Sequence, residues 1–384
     1  MFGTEKGEAF SQSLAFIRFV LALPKNMKTN VTFFVKFWVM SILAFVICGA
    51  LPLHHLITTI IDKTGVDISE DISVFLGCTG ALATSYLFVA QLENWIKFIA
   101  DITSFDSYDK PSSFETVKKR TNLFSLVYSF YLILATLIYG TISYISTGDC
   151  IGLNEKKGLH ELCGSFVPIK PPFNASSLMI RELIFLTQMV LFFFSLMPGA
   201  MICFMTYEST EMVLTHVQHL KQYFTNVFNT SGREERSKRV RLCVNYHNHI
   251  LSLSSRLNLL VKYTIGHMSL IAAIVFASIG NQIFKATKPL AAVLYLIGYV
   301  VSLFMICHAG QQLTDEVMSI NYAVYDSKWY EADAKTMKDI LFILMRSHKP
   351  VTLDALPLGA LNYPLFLMIF KTSYSYLTLL NQST

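Results

Sequence analysis

The chain has 384 residues, 53% of them hydrophobic and only 15% charged, with 30 phenylalanines and a formal net charge of +5. Soluble domains carry roughly 25% charged residues, so this composition excludes an ordinary soluble enzyme or binding module and indicates a membrane protein. No glycine-rich phosphate loop, Ser/His/Asp set or nucleic-acid patch is present, and the basic stretch "REERSKRVR" is mixed in sign.

The first apolar stretch, "LAFIRFVLALP", is short, is broken by Arg18 and is closed by Pro24. It lacks a small-residue cleavage site, so residues 1–30 are expected to form a cytoplasmic segment with an interfacial helix rather than a cleavable signal. Charge-poor stretches near the roughly 20 residues needed to cross a bilayer follow at 37–60, 72–92, 121–146, 183–206, 263–284, 289–309 and 355–380. The expected fold class is therefore an all-α membrane protein with seven transmembrane helices. Segments 1–30, 93–120, 207–262 and 310–354 hold 22 Lys and Arg, and the other loops hold six. Positive charge near span ends resists translocation, which puts the N-terminus in the cytoplasm and the C-terminus outside.

The chain divides accordingly into spans 1–4 over 31–206, spans 5–6 over 263–309 and a last span within 351–384. The outer loop 147–177 is the longest outside, and of the seven cysteines only Cys150 and Cys163 share an outer loop, which makes them the candidate disulfide. Asn174-Ala175-Ser176 lies in the same loop and is a candidate glycosylation site, whereas Asn229-Thr230-Ser231 falls on the cytoplasmic side. On that side, 207–262 is a helical extension interrupted at "NTSGREERSKR", and 310–350 reads as helices that end before Lys349-Pro350. A helix at about 333–347 is too charged for lipid, yet has an apolar face of Met337, Ile340, Leu341 and Leu344. It must pack on something, and the same helix in neighbouring subunits is the simplest candidate, which would make this an assembly domain.

Two histidine pairs, His216/His219 and His247/His249, invite a metal-site reading. On a helix His247 and His249 lie about 200° apart and no carboxylate completes a set, so packed or solvated histidines are favoured and no metal is expected. His54 and His55 read as interfacial anchors, and Arg181 and Glu182 as the outer boundary of the fourth span. In the outer halves of the spans, Phe75, Thr79, Tyr139, Ser143, Phe185, Met189, Ile274, Ser278 and Tyr295 would sit at similar depths. Aromatic walls with a few hydroxyls suit a small volatile or lipophilic ligand. The last span carries a mixed stripe, Thr372, Ser375, Tyr376, Leu379, Gln382 and Ser383, beside an apolar face.

Four C-terminal motifs, "CHAGQQLTDE" at 307–316, "YDSKWYEAD" at 325–333, "RSHKPVTL" at 346–353 and "FKTSYSYLTLL" at 370–380, resemble in order and spacing those of the insect odorant receptors. The resemblance implies a ligand-gated, non-selective cation channel in the plasma membrane of olfactory neuron dendrites. It also implies a tetramer of odorant-binding tuning subunits with a common co-receptor. The segment between spans 4 and 5 is about 56 residues, shorter than the co-receptor's, so the chain resembles a tuning subunit. By the same resemblance the last span lines the pore, "SHKPVTL" is a hinge, and Tyr325 and Trp329 lie in the cytoplasmic anchor. Tyr376 and Gln382 keep the spacing of a terminal motif shared with gustatory receptors. Leu379 and Ser383 match the apolar gate, with Ser383 departing from it, and the chain is expected to end at the outer mouth of the pore. A gustatory-type channel is the neighbouring alternative. A metabotropic seven-helix receptor is disfavoured by the expected orientation and by the absence of its Asp-Arg-Tyr and Asn-Pro-x-x-Tyr motifs.

Overall fold

The computed structural model describes residues 9–24, 30–62, 65–158, 161–171, 177–229 and 232–382. Long apolar runs with few helix breakers leave the backbone one way to satisfy its polar groups in lipid, and each run forms a helix. Span 1 runs Val31–Ile61, span 2 Ser69–Ala90, span 3 Phe114–Ile145, span 4 Leu178–Asn226, span 5 Gly266–Phe284 and span 6 Pro289–Met318. Span 7 is Tyr363–Gln382, diluted by Lys371 and its hydroxyl residues; the first six are apolar enough to cross a membrane on composition alone. Span 1 starts on Asn30, whose side chain accepts from the Phe33 amide at 2.8 Å. It carries one π-turn at Val46–Ala50, just before Pro52, which has no N–H for the regular ladder.

Span 4 has 49 residues. At 1.5 Å per residue that is about 74 Å, more than twice the roughly 30 Å hydrocarbon thickness of a bilayer. Its second half therefore stands in the cytoplasm and pairs with the returning helix Arg233–Thr264. The expected extension at 207–262 is thus the continuation of span 4 and one further helix, with no break near residue 206. Span 5 begins at Gly266, after a break at Ile265, rather than at 263.

Two further boundaries or placements change here. The N-terminal helix, Ser11–Phe19, is wedged against spans 3 and 4 and does not lie free at the interface. Leu14 and Ile17 are buried, Ser13 and Ser125 share a hydroxyl hydrogen bond of 2.7 Å, and Phe19 meets Phe193 partway along span 4. Span 7 begins at Tyr363, not 355, because Pro357 and the positive φ of Gly359 turn the connector into a short antiparallel pair, Asp354–Ala355 with Gly359–Ala360. The stretch from anchor helix to span 7 is tied to its surroundings: Asn258 accepts from the Asp354 amide at 2.7 Å, and Thr314 donates to the Val351 carbonyl at 2.9 Å.

The cytoplasmic helix Ala334–Ser347 packs on its own chain, against Ile320–Tyr325 and Arg233–Thr264. Ile340 and Ile343 are buried, Met337 and Leu344 flank them, and Leu341 faces out. The helix is rotated by about one position from the expected face, because neighbours on one side of the same chain take Ile343 rather than Leu341. Trp329 packs half-buried on the same cluster, while Tyr325, Leu341, Phe342 and Met345 form an exposed apolar surface.

Candidate functional site

A cavity of about 90 Å³ lies between spans 2, 3, 4 and 6, with Met268 of span 5 reaching in. One water needs roughly 10–15 Å³ on this measure, the room open to the centre of a water-sized sphere. The space therefore suits a small organic molecule. Its wall is made by pairing small residues with tyrosines. Gly77 and Ala81 of span 2 and Ala291 and Gly298 of span 6 leave the room that Tyr128, Tyr131 and Tyr139 of span 3 and Tyr295 and Tyr299 of span 6 outline. A Cβ at Gly77 would overlap the Tyr295 hydroxyl, so any larger residue there would displace that ring. Phe192, Leu196 and Met197 of span 4 close the remaining side.

Four of the five tyrosine hydroxyls are committed within the protein. Tyr128 bonds Ser302, Tyr131 donates to the Leu294 carbonyl at 2.5 Å, and Tyr295 donates to the Ser73 carbonyl at 3.2 Å. Tyr139 donates to Glu70 Oε1 at 2.7 Å, and Lys288 Nζ reaches the same oxygen at 2.8 Å. Beside this pair, His55 is buried between Asp71, at 3.0 Å, and Glu161 of the outer loop, at 3.6 Å. His55 is therefore part of a buried polar cluster and not an interfacial anchor. The loop carrying Glu161 is closed by the Cys150–Cys163 disulfide.

Of the nine residues singled out for ligand contact, Tyr139 and Tyr295 line the cavity. The others do not, because the cavity lies one to two turns deeper and the helix rotations differ. Phe75 and Thr79 are half-buried, with the Thr79 hydroxyl donating back to the Phe75 carbonyl at 2.6 Å. Phe185 packs on Phe166, and Ser143 and Ser278 are buried outside the cavity. Ile274 is exposed, and Met189 lines a separate apolar groove between spans 3 and 4. The missed residues had a sequence signal: Tyr128, Tyr131 and Ala135 lead to Tyr139, and Ala291, Gly298 and Ser302 flank Tyr295, in steps of three and four that put tyrosines and small residues on one helix face.

In span 7, Leu365, Ile369 and Ser373 are buried against the bundle, and Phe370 meets Phe276 of span 5 at 5.0 Å. Thr372, Ser375, Tyr376 and Leu379 are exposed on the adjacent face. The Gln382 side chain, Ser383 and Asn174 lie outside the described residues. On the cytoplasmic side, His216 bonds the Tyr246 hydroxyl at 3.0 Å and the Ile102 carbonyl at 2.9 Å, and His219 reaches the same hydroxyl at 3.3 Å. No cluster suited to a metal ion occurs among the described residues.

The profile of the family described as 7tm Odorant receptor matches residues 64–374. The chain belongs to this odorant receptor family. Its relatives in Drosophila melanogaster include odorant receptor 22c, 29% identical over 49% of each chain, and odorant receptor 82a, 26% identical over 56% of each. Odorant receptor 67a is 27% identical over 38% of this chain and 37% of its own length. The chain thus spans about half the length of the curated relatives it matches, or less. The insect olfactory receptor OR5 of Machilis hrabei, solved in complex with eugenol, superposes with a TM-score of 0.74 at 14% identity, covering 98% of this chain and 99% of that one. A second structure of the same receptor superposes with a TM-score of 0.76. These likenesses establish the fold, a seven-span, multi-pass helical membrane protein, and the family match makes the chain an odorant receptor rather than an enzyme.

Proposed function

We propose that this odorant receptor is the ligand-binding, tuning subunit of an odorant-gated, non-selective cation channel that assembles with a co-receptor in a tetramer. The observation that carries the reading is the tyrosine-lined cavity buried among spans 2, 3, 4 and 6. It is nearly all apolar and large enough for a volatile molecule of modest size. Span 7 supports the channel part of the reading. It is long enough to span, is packed on one side against span 5, and offers Thr372, Ser375, Tyr376 and Leu379 on an exposed face suited to a central pore. The exposed Tyr325, Leu341, Phe342 and Met345 supply the apolar surface that subunit contact requires. Localisation to olfactory neuron dendrites follows from the same reading.

Expression in voltage-clamped oocytes, with and without the co-receptor, tests it. Odorant-evoked cation current in the co-expressing cells alone is the expected result. Current from this chain alone would replace the heteromer with a homomer, and a response dependent on cellular nucleotides would refute the channel reading.

A further inference from the structure

Every hydroxyl that lines the cavity is engaged within the protein except one. Tyr128, Tyr131, Tyr139 and Tyr295 are bonded as described, Thr136 donates to the Leu132 carbonyl at 2.9 Å, and Ser302 to the Gly298 carbonyl at 3.0 Å. The Tyr299 hydroxyl is buried with no hydrogen-bond partner among the described residues. Its ring packs edge-on against Phe276 at 5.5 Å and lies 6.5 Å from Tyr295. Burying a donor without an acceptor is costly, and native structures tolerate it mainly where a ligand or water completes the bond.

We propose that Tyr299 is the hydrogen-bond donor of this site, and that the preferred ligand is a small lipophilic molecule carrying one acceptor oxygen, such as a ketone, ester or ether. The apolar wall binds the hydrocarbon part of many volatiles about equally. Tyr299 adds selectivity, because an acceptor placed against it forms a bond that a hydrocarbon of the same size cannot. This rests on the cavity being the ligand site of the proposed receptor.

The test uses the full chain purified into nanodiscs, with thermal unfolding measured in 2-heptanone and in heptane at equal fractions of aqueous saturation. The wild type should be stabilised more by the ketone, corresponding to roughly five- to tenfold tighter binding. In Tyr299→Phe that preference should collapse while the response to heptane persists. The ligand-free variant should be as stable as the wild type or more so, because it loses an unpaired hydroxyl. Tyr139→Phe, which loses a bonded hydroxyl, should be less stable. Equal stabilisation of the wild type by both compounds, a preference that survives in Tyr299→Phe, or a destabilised ligand-free Tyr299→Phe would each overturn the assignment. If neither compound stabilises the wild type, the assignment also fails, and odorant-evoked currents from other volatiles would then show that the receptor reading stands without it.

Discussion

Replacing Glu70 by glutamine removes the charge that holds Lys288 and Tyr139 at the outer end of the cavity. The Lys288–Glu70 distance is 2.8 Å, and the two side chains are 19% and 10% exposed. At an effective dielectric constant of 20 the gross attraction is about 6 kcal/mol, most of it offset by the desolvation of both ions. Lys288 keeps part of its hydration at the membrane boundary, so the net coupling should be about 1–3 kcal/mol. In Glu70→Gln the side-chain amide oxygen can still accept from Tyr139, which isolates the ionic contribution. A double-mutant cycle of Glu70→Gln and Lys288→Met, read by thermal unfolding in nanodiscs, should return this coupling. Glu70→Gln should also weaken odorant responses, because Tyr139 lines the cavity and loses its charged acceptor. Additive effects of the two substitutions, or unchanged stability with Glu70→Gln, would refute the claim that the pair organises this end of the site.

Acidification tests the cytoplasmic packing. Burial, with a smaller contribution from Arg346, pushes the His247 imidazole down to about 4. The unfolded chain takes up a proton near pH 6.5 and the folded one does not, so stability present above that value is lost as pH falls toward 4, by about 2 kcal/mol at pH 5. Thermal melts should show a shallower slope over this window in His247→Leu. Gly310 of span 6 faces the backbone of the connector, where an added Cβ would meet Leu361 carbon atoms at 3.0 Å and its carbonyl oxygen closer still. Gly310→Ala should therefore cost about 1–3 kcal/mol through overpacking and reduce surface expression. The disulfide closes a loop with a sequence separation of 13, so Cys150→Ser should lower stability by about 3 kcal/mol on the chain-entropy account, and a reducing agent should reproduce the loss.

The seven apolar runs, the imbalance of positive charge and the four C-terminal motifs were legible as sequence. They settle class, span count and family, because lipid forces every apolar run of sufficient length to satisfy its backbone as a helix. That Tyr139 and Tyr295 line a cavity between the spans follows the same reading, as aromatic residues at plausible depth. The rotation of each helix was not legible. Phe75, Ser143 and Ile274 lie on the same spans as cavity-lining residues, but lipid or another helix takes their side chains, and no periodicity in one span reveals which neighbour lies against it or how deep the gap between helices sits. The same ambiguity set Leu341 outward and Ile343 inward in the cytoplasmic helix. It also hid the meeting of Glu70 with Lys288, 218 residues apart, and of His55 with Asp71 and Glu161. Length and hydropathy are properties of one segment, and the sequence by itself determined what depends on them. The cavity, and a Tyr299 hydroxyl without a partner among the described residues, exist only between segments, so packing in three dimensions decided them.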